Sequence, residues 1–192
     1  KPIHVGFYAG GRIEQMVDIT EQKRLQKQVE RLAITDDLTG IYNRRGLIEL
    51  GQHDFNRASR TDTLLSAIYL DVDHFKKLDD RFGHATGDQV LVELVSRIQA
   101  QLRDMDTFGR YGGDEFIILI PDANLEQACE VAERIKDAVA RSPFSIGLDQ
   151  TPVTVSQGVA LFSPRETFAG LLNRADNCMY RAKENGRNRI EY

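Results

Sequence analysis

The chain has 192 residues, 41% hydrophobic and 28% charged, a composition that excludes a disordered or fibrous chain and leaves enough apolar material for a sizeable core. Its 25 Lys plus Arg against 29 Asp plus Glu give a formal net charge of −4; this argues against a general nucleic-acid binder, which needs a basic surface, but not against a small anionic ligand held by a few local cations. The longest apolar runs, such as residues 116–121, fall far short of the roughly 20 residues a membrane helix needs, and no signal-peptide pattern opens the chain, so no membrane contact is expected.

In chain order, residues 3–8 and 13–19 read as strands around a glycine turn. A lone hairpin is not a stable domain, so residues 1–20 are expected to be the tail of a preceding one. Asp18-Ile19-Thr20 followed by a charged helix resembles the end of a PAS sensor domain. Residues 21–34 are expected to be a linker helix capped by Thr20. Its Leu25, Val29 and Leu32 form either a short coiled-coil seam or the apolar face of a helix packed on its own domain. A second domain is expected over 35–192. It begins with a helix over 43–58 and a strand over 64–72, in which Ile68, Leu70 and Val72 share one face while Tyr69, Asp71 and then Asp73 share the other. Residues 83–88 read as a loop and turn before a helix over 86–102, and a further helix is expected over 124–140. Between these helices, β-like runs at 108–111 and 116–120 are joined by Gly112-Gly113-Asp114-Glu115 as a hairpin. A strand over 152–162, a helix over 167–184 and a closing strand over 189–192 complete the pattern. Cys129 and Cys178 fall in helices without metal-like spacing and read as reduced core residues, which implies a cytoplasmic setting. The expected class is α+β, a ferredoxin-like βαββαβ core with additions, its antiparallel sheet covered by helices on one side.

Acids are concentrated at two strand ends, with Asp71 and Asp73 leaving one strand and Asp114 and Glu115 in the glycine-flanked hairpin. Carboxylates brought close together repel unless a cation sits between them, and hard oxygen donors without His or Cys suit Mg²⁺ or Mn²⁺. Solvated turns would show the same residue types. Lys76, Lys183 and Arg187 are cations available for phosphate, the last two flanking Asn185-Gly186 at a helix end, where they would equally well satisfy the helix dipole. No P-loop and no Rossmann glycine pattern is present. Asp88 could meet a ligand beside backbone N–H groups or simply stabilise its helix start.

Arg110-Tyr111-Gly112-Gly113-Asp114-Glu115-Phe116 resembles the signature of the GGDEF family of diguanylate cyclases, and four further blocks agree in order. Asp36-Asp37-Leu38-Thr39-Gly40-Ile41-Tyr42-Asn43-Arg44-Arg45 is similar to the family's opening motif. Asp71-Val72-Asp73-His74-Phe75-Lys76 is similar to its metal strand, and Phe82-Gly83-His84 through Gly87-Asp88 to its base-binding loop. Residues 180–188, Tyr-Arg-Ala-Lys-Glu-Asn-Gly-Arg-Asn, are similar to its closing helix. The resemblance covers about residues 35–192. It implies condensation of two GTP into cyclic di-GMP and two pyrophosphates, on a fold related to nucleotide cyclases and polymerase palms, a central antiparallel sheet surrounded by helices. It further implies two Mg²⁺ or Mn²⁺ ions per site held by Asp71, the Val72 carbonyl, Asp114 and Glu115, with Asp114 as a candidate proton acceptor. Lys76, Lys183 and Arg187 would hold phosphates, Gly112 and Gly113 would let the backbone approach the α phosphate, and Phe75, His84 and Asp88 would belong to the nucleotide pocket.

The sequence departs from the family at Asp79, where an asparagine is expected against the guanine. Aspartate only accepts hydrogen bonds, so weaker GTP binding or looser base choice is expected. Arg103-Asp104-Met105-Asp106 has the R-x-x-D form of the family's product-inhibition site, which Arg134 would complete; a helix-end salt bridge is the plainer reading. The expected active form is a homodimer with one GTP per half, driven by an N-terminal sensor domain. The rivals are a silent cyclic di-GMP receptor and a regulatory GTP-binding domain.

Overall fold

In the computed structural model of the chain, Thr20 and residues 34–192 are described, except 147 and 148. The expected preceding-domain tail and linker helix therefore lie outside the described residues. Twelve elements follow from residue 44: α1 (Arg44–Thr61), β1 (Leu65–Val72), α2 (Phe75–Phe82), α3 (His84–Gln99), β2 (Thr107–Gly112), β3 (Glu115–Pro121), α4 (Leu125–Ala140), β4 (Phe144–Ile146), β5 (Asp149–Thr151), β6 (Val155–Leu161), α5 (Phe168–Glu184) and β7 (Ile190–Glu191). The main sheet runs β2-β3-β1-β6-β7. Its first four strands are antiparallel and give the ferredoxin-like order, while β7 lies parallel to β6 and makes the sheet mixed.

Local chemistry sets most boundaries. Asn43 caps α1 by accepting from the Gly46 N–H, Thr167 caps α5 through Gly170, and Asn124 with Gln127 forms a capping box on α4. Two elements depart from expectation. Residues 75–82 form a helix that no periodicity announced, and His84 to Asp88 belong to the first turns of α3 rather than to a loop. Only Gly83 stands between α2 and α3, at φ 84, a conformation that glycine adopts without a Cβ clash and that permits so abrupt a corner.

Helices cover both faces of the sheet, as the resemblance implies, which corrects the one-sided cover read from the element order. One core packs Ile68, Leu70 and Val72 against Val90, Leu94, Ile98 of α3 and Ala132, Ile135, Val139 of α4. The other packs Leu65, Ala67 and Tyr69 against Leu47 and Phe55 of α1 and Phe168, Leu171 and Met179 of α5. Both faces of β1 carry apolar side chains, so both need cover, and all eight of its residues are buried. Cys178 is buried, Cys129 half-buried, and neither is paired.

Helix α5 rests directly on strand backbone. A Cβ at Gly158 would lie 2.0 Å from the Ala175 carbonyl oxygen and 2.2 Å from the Met179 nitrogen. Gly158→Ala must therefore lift a helix that carries candidate site residues, and urea denaturation should show a loss of about 3 kcal/mol. An unchanged midpoint would contradict this backbone-to-backbone contact.

Candidate functional site

The signature forms a tight hairpin in which Gly112 stands opposite Glu115, with an irregularity between Arg110 and Gly112. It is held from two sides. The Val72 N–H donates to the Asp114 carbonyl at 3.2 Å, stitching the turn to the end of β1. Arg110 donates through Nε and Nη2 to the Gly113 carbonyl at 2.9 and 2.8 Å, and its Nη1 reaches both carboxylate oxygens of Asp36 at 3.3 Å. Asp36 is itself fixed by the Thr39 amide at 2.9 Å and hydroxyl at 2.6 Å. Against burial, which pushes the other way, the Thr39 hydrogen bonds and the Arg110 guanidinium hold the Asp36 carboxyl below its ordinary range. The opening motif is thus the support of the signature turn, a role the sequence reading did not assign. The Asp-x-x-Thr spacing, characteristic of side-chain-closed turns, was the available signal.

Asp71 and Glu115 face each other across the β1–β3 ladder. Directly opposite residues of an antiparallel pair have Cβ atoms only about 5 Å apart, and like charges there repel. Asp71 is 5% exposed. Burial pushes its carboxyl up to about 6; Asp114 and Glu115 push the same way, and the hydrogen bond and charge of Lys183 oppose them. Lys183 Nζ, in the last turn of α5, lies 2.7 Å from Asp71 Oδ2. Tyr69, two residues back on the same face, is held protonated well above its ordinary range by burial and by Glu115.

Asp73 behaves differently. Thr154 and Ser156 hydroxyls donate to its two oxygens at 2.6 Å each, and the Asn188 N–H donates at 3.0 Å. Those bonds engage both of its oxygens within the protein, unlike those of Asp71. They also pin the turn after α5, where Gly186, Arg187 and Asn188 all have positive φ (112, 63 and 48). For non-glycine residues that conformation is costly and persists only where the surroundings enforce it. Asp73 therefore fixes where Lys183 and Arg187 emerge.

Across α2 and α3, the His84 ring nitrogen Nδ1 is hydrogen-bonded with Asp79 Oδ2. A Cβ at Gly87 would lie 2.2 Å from Asp79 Oδ1 and 3.1 Å from the Phe75 ring, so Phe75, Asp79, His84 and Gly87 form one cluster. Lys76, Asp88 and Arg187 are exposed. Arg103 and Asp106 precede β2, at the far end of that six-residue strand from the signature and thus roughly 20 Å away by strand rise. Asp106 Oδ2 accepts from the Arg103 N–H at 2.8 Å, its Oδ1 is buried with no partner, and Arg134 donates to the Gln101 carbonyl at 3.0 Å. Arg134 is thereby tied to the segment just before the R-x-x-D turn.

Among the described residues, no three His, Cys, Asp or Glu side chains form a ready metal cage. The donor set nonetheless fits a hard divalent cation: Asp71, Asp114 and Glu115 interact closely enough to raise the Asp71 carboxyl, and among the described residues only Lys183 forms a salt bridge with it. Mg²⁺ typically takes one or two protein carboxylates and fills its shell with water and phosphate oxygens, so an incomplete cage is the appropriate form. Beside it, a Cβ at Gly113 would meet nothing within 4 Å, so the chain itself does not demand this glycine.

A raised carboxyl carries a stability cost with a definite pH window. Between the ordinary value of 3.8 and about 6, the unfolded chain loses a proton that folded Asp71 keeps, so the folded state loses stability as pH rises through that window. In EDTA, the stability of Asp71→Asn relative to the parent should increase from pH 4 to pH 7 by up to about 3 kcal/mol. A flat or falling difference would contradict the electrostatics described above.

The comparisons with known proteins agree with this geometry. The family described as "Diguanylate cyclase, GGDEF domain" matches residues 33–189. The chain is 43% identical over 164 residues to the response regulator PleD of Caulobacter vibrioides (83% of this chain, 36% of PleD) and 40% identical over 176 residues to the diguanylate cyclase DgcM of Escherichia coli (90% of this chain, 42% of DgcM). It thus spans less than half the length of these relatives. Among solved structures, the coiled coil and GGDEF domain of DgcB from Caulobacter crescentus, in complex with c-di-GMP, matches with a TM-score of 0.86 at 30% identity, covering 91% of this chain and 93% of that one. The active GGEEF domain of a diguanylate cyclase from Vibrio cholerae matches with a TM-score of 0.73 at 37% identity, covering 78% and 95%. With the signature turn, the carboxylate pair and the closing helix in place around one strand end, the chain belongs to the GGDEF diguanylate cyclase domain family.

Proposed function

We propose that this domain is a diguanylate cyclase half-site that joins two GTP molecules into cyclic di-GMP with release of two pyrophosphates. The observation that carries the reading is the convergence of Asp71, Asp114, Glu115 and Lys183 on an open glycine turn at one sheet end. The named cyclases among its relatives and the c-di-GMP held by DgcB support it. In this reading Asp71, the Val72 carbonyl, Asp114 and Glu115 hold two Mg²⁺ or Mn²⁺ ions. Such ions lower the pKa of a ribose 3′-hydroxyl and stabilise charge on the leaving pyrophosphate. The chain's own part is placement: Lys76, Lys183 and Arg187 hold the phosphates, Gly112 and Gly113 admit the α phosphate to the backbone, and the cluster of Phe75, Asp79 and His84 with Asp88 receives the base.

One pocket cannot present both 3′-hydroxyls to both α phosphates, so catalysis requires a two-fold dimer with one GTP per protomer. A sensor domain preceding residue 21 then acts by setting how the halves meet. GTP as substrate suits a cytoplasmic setting, and no helix among the described residues is long and apolar enough to cross a membrane. Product binds at Arg103, Asp106 and Arg134, where the guanidinium groups suit phosphates and guanine edges and the Asp106 carboxylate can accept from guanine.

The test is mass identification of products after incubation with GTP and Mn²⁺. Cyclic di-GMP from the parent and none from Asp114→Ala is the expected outcome; no product from the parent favours the receptor or regulatory readings. In the same assay Arg103→Ala should keep uninhibited turnover and lose inhibition by added product, and unchanged inhibition would remove the second site. Asp79→Asn should lower the GTP KM and raise the preference for GTP over ATP by about tenfold, since a good base contact is worth roughly 1–3 kcal/mol. If both stay unchanged, Asp79 does not read the base.

A further inference from the structure

The ion pair between Lys183 and Asp71 lies where the proposed reaction needs both residues for something else. Asp71 Oδ2 is 2.7 Å from Lys183 Nζ, the Asp71 side chain is 8% exposed, and that of Lys183 is 29% exposed. The pair is thus mostly dry, and an isolated buried carboxylate would be expensive. No other cation among the described residues forms a salt bridge with Asp71, while Asp114 and Glu115 both act against its charge. An ammonium group seated on Oδ2 and a divalent cation bound to that same oxygen would repel each other. The lysine has somewhere else to go: its four-carbon side chain is 29% exposed and pivots from a helix whose following turn the Asn188 N–H bond to Asp73 fixes.

We propose that Lys183 is a stand-in cation that guards Asp71 until nucleotide arrives, and that metal loading and phosphate capture are one exchange. Without nucleotide, the ammonium neutralises Asp71 and competes with the metal. When a nucleoside triphosphate enters, its phosphate oxygens offer the ammonium a new partner, Lys183 leaves Asp71, and the freed carboxylate takes the divalent ion. By linkage the coupling is reciprocal, so metal at Asp71 also releases Lys183 for phosphate. The domain then holds little metal while idle and acquires it with its substrate. This inference rests on the cyclase reading above.

The discriminating measurement is Mn²⁺ affinity without nucleotide, by electron paramagnetic resonance, in the parent, Lys183→Gln and Arg187→Gln. Removing the competing charge should tighten Mn²⁺ binding in Lys183→Gln by about tenfold, the factor that corresponds to 1.4 kcal/mol. Arg187→Gln, which removes a cation with no salt bridge to Asp71, should leave it unchanged. Both variants should weaken binding of α,β-methylene GTP in the presence of Mn²⁺. An unchanged or weaker nucleotide-free Mn²⁺ affinity in Lys183→Gln overturns the exchange while leaving the cyclase reading intact. Failure of the parent to bind α,β-methylene GTP with Mn²⁺ sinks the cyclase reading and the exchange with it. A measurement on the parent alone covers the case in which Lys183→Gln does not fold: saturating Mn²⁺ should increase reductive methylation of Lys183, read by peptide mass, and an unaltered rate would contradict expulsion of the ammonium.

Discussion

The carboxylate of Asp71 is the constraint around which the site is arranged. It sits at the end of a strand buried on both faces, opposite Glu115 and near Asp114, with Lys183 as its ion-pair partner. A charge so placed is destabilising in proportion to how dry the site is, and the same dryness makes a bound cation effective. The fold secures this dryness by covering β1 with α3 and α4 on one face and α1 and α5 on the other. A ferredoxin-like sheet with helices on one face would leave the Asp71 side of the strand in water.

Two polar anchors convert this buried strand end into a defined geometry. Asp36, fixed by Thr39, holds Arg110, which holds the Gly113 carbonyl and so sets the signature turn. Asp73, fixed by Thr154 and Ser156, holds the Asn188 N–H and so sets the turn after α5. Both anchors are carboxylates whose hydrogen bonds lie within the protein, and both stand next to carboxylates whose charge the protein leaves poorly compensated. That division separates structural acids from candidate chemical ones: a satisfied carboxylate is a tether, and an uncompensated one is a binding site held at a cost in stability.

This division also explains what was legible in the sequence. Period-two alternation placed Ile68, Leu70 and Val72 opposite Tyr69 and Asp71 correctly, because both faces of β1 are apolar enough to fix the register. The hairpin at 112–115 was legible from its glycines, and α4 and all but the first turn of α3 from long apolar periodicity. The helix at 75–82 was not, because it is short, none of its residues is fully buried, and its start at His74 has a left-handed backbone instead of a capping side chain. The three-residue β4 and β5 carry too few side chains for any period to show. At the site, residue types identified the acids and cations, but no spacing rule separates Asp71 from Asp73. Their roles differ through Lys183, Thr154, Ser156 and Asn188, partners 80 to 115 residues away that only the folded chain brings in.

The central claim, that Asp71 is a buried carboxylate whose lysine partner does not offset burial and the neighbouring acids, can be read at the atom itself. Carbon-13 NMR of the Asp71 side-chain carboxyl in metal-free protein should show titration near pH 6, shifted well downward when Mg²⁺ and a GTP analogue are added. Titration near the ordinary aspartate value in metal-free protein, with no change on adding both, would contradict the account.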